Sequence, residues 1–246
     1  GTGSEVMKVT VITDEKTDEK MMCMGIGFMP SVALVDYELS MSVPPRTTAD
    51  TGIDAMTHAI EAYVSKKSSV YTDMQAISAM KLLGPSLRQV YQNPCDANAR
   101  EKMMLGSTLA GIAFSNASVA LVHGMSRPIG ASYHVPHGLS NAMLLPTVTE
   151  YSIPGAPDRY ADCARAIGVA NYNDTSDVAI NKLMDELVSL NRELQVPSLK
   201  EFGVDGNHFS TNLQTMAKQA ISSGSPSNNP RVPDIEDIVK LYKKLW

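Results

Sequence analysis

The sequence is 246 residues long, 43% hydrophobic and 19% charged, with a formal net charge of −5. That is enough apolar material for a substantial core in one or two domains, and the acidic balance argues against a nucleic-acid partner, whose phosphates call for clustered Lys and Arg. No run of about 18 apolar residues suggests a membrane span, no basic-then-apolar leader is present, and Cys23, Cys95 and Cys163 show no metal-type spacing, which points to a reducing cytoplasm.

The first 45 residues read differently from the rest. Val6 to Thr13 and Val32 to Asp36 are β-branched runs that predict strands, with Asp14, Glu15 and Lys16 as a polar turn between them. From about Thr48 the pattern is helical: 49–66, 70–92 before Asn93-Pro94, 96–121, and a pair around VHGM and PHGLSN. Later helices are expected at 156–168, 175–195, 205–222 and 235–246, the last opening with Asp234 as N-cap after Pro233 and Asp237 in its first turn. The chain is therefore expected to be mainly α, with an all-helical domain over residues 46–246. Met21, Met22, Met24, Met103 and Met104 read as fillers of irregular core gaps, and SSGSPSNNPRVP as a solvated loop between two helices.

Four side chains stand out as candidate metal ligands. Asp54 and His58 lie four residues apart in GIDAMTHAIEAY, where Ile53, Met56, Ala59, Ile60 and Tyr63 are apolar at helical spacing, so both project from one face. Alone, such a pair is more often a hydrogen-bonded structural pair than half of a metal site. His123 and His137 change the balance, because two of the five histidines fall within fifteen residues in an otherwise apolar region, and each is followed by Gly, which lets backbone or ligand come close. Three imidazoles and one carboxylate suit a borderline divalent ion such as iron(II) or zinc better than the mostly oxygen sites of calcium or magnesium. An ion so held acts on a substrate oxygen as a Lewis acid, which suggests carbonyl or alcohol chemistry.

At these residues the sequence resembles the iron-containing, or group III, alcohol dehydrogenases. The resemblance rests on GTGSEV, ITDEK, ALVDYELSMSVPPRTTADTGIDAMTHAIEAYVS, NASVALVHGM, YHVPHGLSNAMLLP and the closing DIEDIVKLYKKLW, and so covers essentially the whole chain. It implies that Asp54, His58, His123 and His137 are the metal ligands, that the ion is Fe(II) or zinc, and that the reaction is hydride transfer between a small alcohol or aldehyde and NAD or NADP. Where many members carry a further histidine in the cleft, this chain has Arg127. Proton relay there gives way to two readings, a surface arginine or a donor to an acidic substrate or cofactor phosphate.

The resemblance also assigns cofactor contacts to Thr2 and Ser4 of the GTGS segment, and to Val11 and Lys20 farther along. His134 is expected to line the cleft or hold a hydrogen bond without binding metal, and His208 to be solvated; Asn229 and Arg231 keep a minor claim to function because the corresponding loop of relatives lies near the cleft. Members of the family carry a dinucleotide-binding domain with a GGGS segment that this sequence lacks. Residues 1–45 are accordingly expected to be a remnant of that α/β domain, residues 46–246 the metal- and substrate-binding domain, and the chain a fragment with little activity alone. A homodimer or larger homo-oligomer is expected by the same analogy. Other readings are a non-catalytic metal-binding or oligomerisation module, a maleylacetate reductase-like enzyme and a hydroxyacid–oxoacid transhydrogenase. A helical metal-dependent phosphohydrolase is disfavoured, since no adjacent His-Asp pair occurs.

Overall fold

The computed structural model describes residues 2–13, 15 and 20–246, with backbone only at Val11, Thr13, Lys20, Met21 and Met22. Asp14 and Lys16 of the expected turn lie outside the described residues. Strands β1 (Val9–Thr13) and β2 (Lys20–Met24) form an antiparallel hairpin in which Val9 pairs with Met24 and Thr13 with Lys20. β1 begins later than expected because Ser4–Val6 closes a 3-10 turn first. The expected strand at 32–36 does not form. That run joins no ladder, and Val32 and Leu34 are 75% and 92% exposed, for β-branched propensity yields a strand only where a neighbouring edge completes its hydrogen bonds. The partner of β1 is instead the methionine-rich KMMCM, and Met24, 63% exposed, fills no core gap.

Ten α-helices follow among the described residues, and the chain is mainly α as anticipated. α1 (Pro45–Val64) starts before position 49 because Pro45 occupies the first turn, where its missing N–H costs nothing. From Gly52 to Val64 every residue of α1 is buried, the mark of a helix at the centre of a domain. α2 (Val70–Gln92), opened by a Ser69–Thr72 capping box, and α3 (Ala97–Ala117), capped by Asp96, pack on it from one side. α3 stops short of 121: Ser118 adopts φ 67° and the chain bends by 101° into α4 (Leu121–Tyr133). α5 (His137–Ser152) packs on both α1 and α4.

The remaining helices close the periphery. α6 (Pro157–Ile167) and α7 (Ser176–Glu193) pair with each other, and α9 (Gly206–Ser222) packs on α4 and on α10 (Ile235–Lys243). Asp234 caps α10 in a box with Asp237, and Tyr242 Oη donates to the Met125 carbonyl at 2.7 Å, pinning α10 to α4. The four-residue α8 (Leu199–Phe202) was not anticipated, although its Ser198–Glu201 capping box is a readable signature. The loop of residues 222–233 is not the solvated linker expected. Asn228 and Asn229 are buried: the Asn228 amide donates to Ser118 Oγ and the Val119 carbonyl at 3.1 Å, where acceptors at the sharp α3–α4 turn need donors once water is excluded, and the Asn229 amide donates to Ser152 Oγ at 2.9 Å and the Arg231 carbonyl at 2.7 Å. No single helix among the described residues is long and apolar enough to cross a membrane.

Two glycines set the inter-helix distances. A Cβ at Gly138 would lie 2.5 Å from the Asp50 carbonyl oxygen of α1, and one at Gly124 would lie 2.7 Å from Pro226 Cγ. Gly138→Ala should therefore push α5 off α1 and cost about 1–3 kcal/mol, the usual penalty of overpacking; chemical denaturation would check it, and an unchanged midpoint would refute the close contact.

Arg88 of α2 clamps α7 by pairing with Glu186 at 2.5 Å and Glu193 at 2.6 Å. The Glu193 carboxyl is held down to about 2, first by its hydrogen bond from Arg88 and then by that from Ser189. A carboxylate depressed in the folded state stabilises fully above its ordinary range and loses that contribution as pH falls towards the folded value. Arg88→Ala should thus lower Tm by a few degrees at pH 7, with the gap to wild type narrowing towards pH 2–3. A gap independent of pH would assign the loss to packing instead.

Candidate metal centre

α1 presents Asp54, His58 and Glu61 on one face, spaced four and three residues apart, and all three are buried, with Asp54 fully so. The α3–α4 bend brings His123, in the first turn of α4, onto this face. One ligand atom from each of Asp54, His58 and His123 lies within 4.8 Å of the others. His123 Nε2 is 3.5 Å and His137 Nε2 3.7 Å from Asp54 Oδ1, while His58 Nδ1 is 3.9 Å from Asp54 Oδ2. All four residues singled out from the sequence thus converge from three helices.

The rings form a ladder. Phe114 of α3 stacks on His58 at 4.0 Å between centroids, His58 stacks on His123 at 4.4 Å, and His123 meets His137 at 5.2 Å. His137 is the outer rung, with half of its side chain exposed.

Two neighbours escaped the sequence reading. Asn141, one turn after His137 on α5, donates from Nδ2 to Asp54 Oδ1 at 2.6 Å and stands 3.2 Å from both His123 Nε2 and His137 Nε2. Glu61 receives the Val122 N–H at 2.6 Å on Oε1 and the Ala120 N–H at 3.0 Å on Oε2, which is also 2.6 Å from His123 Nδ1. The available signal was helical spacing: Glu61 follows His58 by three, and Asn141 follows His137 by four.

Burial alone would raise the Asp54 carboxyl, but the imidazoles of His58, His123 and His137 outweigh it and hold it below the ordinary range. Burial takes His58 down to about 3. His123 is pulled the other way, up to about 9, because the Glu61 and Asp54 carboxylates outweigh its burial; His137 is lowered by burial and then by the charge on His123. At neutral pH the cluster offers an ionised carboxylate and a neutral His58. Asp54 Oδ2 and His58 Nδ1 are buried with no hydrogen-bond partner among the described residues, an unfavourable arrangement for groups of this kind, and both are atoms of the type that bind a divalent ion. The residues fit such an ion.

The other singled-out residues fall in different places. Arg127 lies one turn after His123 on α4, exposed and without a hydrogen bond or ion pair among the described residues. Thr2 and Ser4 flank Gly3, whose φ of 72° lets it approach α3 so closely that a Cβ would be 2.6 Å from Gly111 Cα. That contact is one turn along α3 from Phe114, and the Thr108 hydroxyl fixes the segment by donating to Glu5 Oε1 at 2.6 Å. Val11 and Lys20 sit in the hairpin, with side chains outside the described residues. His134 is exposed and ends α4 in the left-handed conformation with φ 55°, while exposed His208 meets Tyr133 edge-on. Asn229 serves the buried loop, and Arg231 lies over the Tyr151 ring at 4.1 Å.

The model of the C-terminal part of the Fe-containing alcohol dehydrogenase family matches residues 48–246. Over its full length the chain is 37% identical to an NADPH-dependent butanol dehydrogenase of Clostridium saccharobutylicum and 37% identical to a lactaldehyde reductase of Escherichia coli (strain K12), and it spans 63% of the length of each. A crystal structure of a 1,3-propanediol oxidoreductase superposes on the whole chain with a TM-score of 0.94 at 34% identity, with 64% of that protein covered. The chain belongs to the iron-containing alcohol dehydrogenase family, through the part that carries its helical C-terminal domain.

Proposed function

We propose that this chain carries the metal and substrate side of an NAD(P)-dependent alcohol dehydrogenase or aldehyde reductase acting on a small alcohol or aldehyde. The observation that carries the reading is the convergence of Asp54, His58, His123 and His137, with Asp54 Oδ2 and His58 Nδ1 buried and unpartnered. The named activities of the relatives, butanol dehydrogenation and lactaldehyde reduction, support the same reaction class. Bound iron(II) or zinc would polarise the substrate oxygen and stabilise negative charge on it during hydride transfer.

The residues divide the work. Asp54, His58 and His123 form the dry inner donor set, and His137 is the donor at the solvent edge. Arg127, exposed one turn after His123 on α4, would donate to an acidic substrate group or a cofactor phosphate. The turn of Thr2 and Ser4, backed by α3, provides the nucleotide side together with Val11 and Lys20. Residues 1–45 thus go with the nucleotide and residues 46–246 with the ion and substrate. A cytoplasmic homodimer or larger homo-oligomer using NAD or NADP completes the reading. Because the chain spans 63% of its relatives' length, ion binding is the property expected of these 246 residues on their own, with little turnover.

Elemental analysis of the purified chain should find about one iron or zinc per chain, lost in His123→Ala and in Asp54→Ala, as removal of one donor from a site of this kind collapses its affinity. A wild-type chain that holds no metal and cannot be reloaded would defeat the proposal.

A further inference from the structure

Glu61 is 3% exposed, and both oxygens of its carboxylate are used. Oε1 accepts the Val122 N–H at 2.6 Å, and Oε2 accepts the Ala120 N–H at 3.0 Å and faces His123 Nδ1 at 2.6 Å. A carboxylate receiving two backbone N–H groups has only acceptor capacity left, so the proton on the His123 ring must sit on Nδ1 and point at Glu61. With Nδ1 committed to Glu61, Nε2, 3.5 Å from Asp54 Oδ1, is the ring nitrogen left to give up its proton and bind an ion. The same two backbone contacts tie the start of α4 to α1, which fixes the height of the His123 ring along the cluster.

We infer that Glu61 is a positioning residue for metal binding, holding His123 in the Nδ1–H tautomer and anchoring the first turn of α4 so that Nε2 is aimed at the ion. The inference rests on the metal reading above and adds a requirement to it: a carboxylate, not merely a polar group of the same shape, must stand at position 61. In Glu61→Gln the amide has one acceptor oxygen for three N–H groups. Whichever way it turns, its NH2 meets either a backbone N–H or the imidazole, and in the second case it drives the ring proton onto Nε2, where it blocks coordination. Outer groups that orient a ligating imidazole typically contribute 10–100-fold to metal affinity.

The test uses the 246-residue chain with zinc as probe. Zinc affinity would be measured by competition with a chromophoric chelator, and the His123 tautomer by long-range proton–nitrogen correlation on the zinc-loaded chain. The expected result is Nδ1–H with zinc on Nε2 in the wild type, and a 10–100-fold weaker zinc affinity in Glu61→Gln while the melting temperature of the chelator-treated chain falls much less than that of His123→Ala falls in zinc. If Glu61→Gln does not fold, Glu61→Asp, which keeps the charge and shortens the reach, should show the same loss of affinity. Wild-type affinity in the variant that folds, or a wild-type His123 with its proton on Nε2, would overturn the inference and leave the metal reading standing. Failure of the wild type to take up zinc at all would overturn both.

Discussion

An aspartate with no solvent exposure sits in the middle of a helix that is buried on every side from Gly52 onward. Asp54 on α1 is the constraint around which the rest of this structure is arranged, because an ionised carboxylate removed from water must be met by cations, donors or a metal. Among the described residues, His58 is the one α1 side chain within ion-pair distance of it. The other partners come from α4 and α5, far along the chain, and the bend at Ser118, the short connection after Tyr133 and the approach of α5 to α1 all serve to deliver them. The bend that makes α3 and α4 two helices is what brings His123 to the buried charge.

The same logic runs through the supporting parts. Asn228 gives a polar loop a buried, structural job because the bend it covers turns the Val119 carbonyl to a dry interior, and Asn229 braces the loop at Ser152 and Arg231. Gly124 and Gly138, each following a histidine of the cluster, are packing residues: they let a loop and a helix close to distances that a methyl group would forbid, and so hold the imidazoles in register.

Much of this was legible in the sequence, and what was not has identifiable causes. The limits of α2 matched their expected positions because Ser69 and Asn93-Pro94 are local signals, independent of tertiary contacts. The end of α3 was missed because a left-handed serine has no sequence marker, and the strand at 32–36 was overcalled because strand propensity says nothing about whether a partner edge is near. β2 was invisible, since methionine carries little strand signal. Asp54, His58, His123 and His137 could be picked out because imidazoles are scarce and their spacing is regular. Glu61 could not, since a glutamate on a helix normally faces water, and its role depends on where α4 begins.

The stack running from Phe114 through His58 and His123 to His137 also grades the medium in which charges act. At the buried His58 and His123 the effective dielectric is lower than at the half-exposed His137, so an identical charge interacts more strongly in the middle of the stack than at its outer end. Burial at each rung, together with distance from Asp54, therefore sets how strongly a substitution is felt: a polar change beside His137 is damped by solvent, whereas one beside His58 or His123 reaches the carboxylate with far less screening.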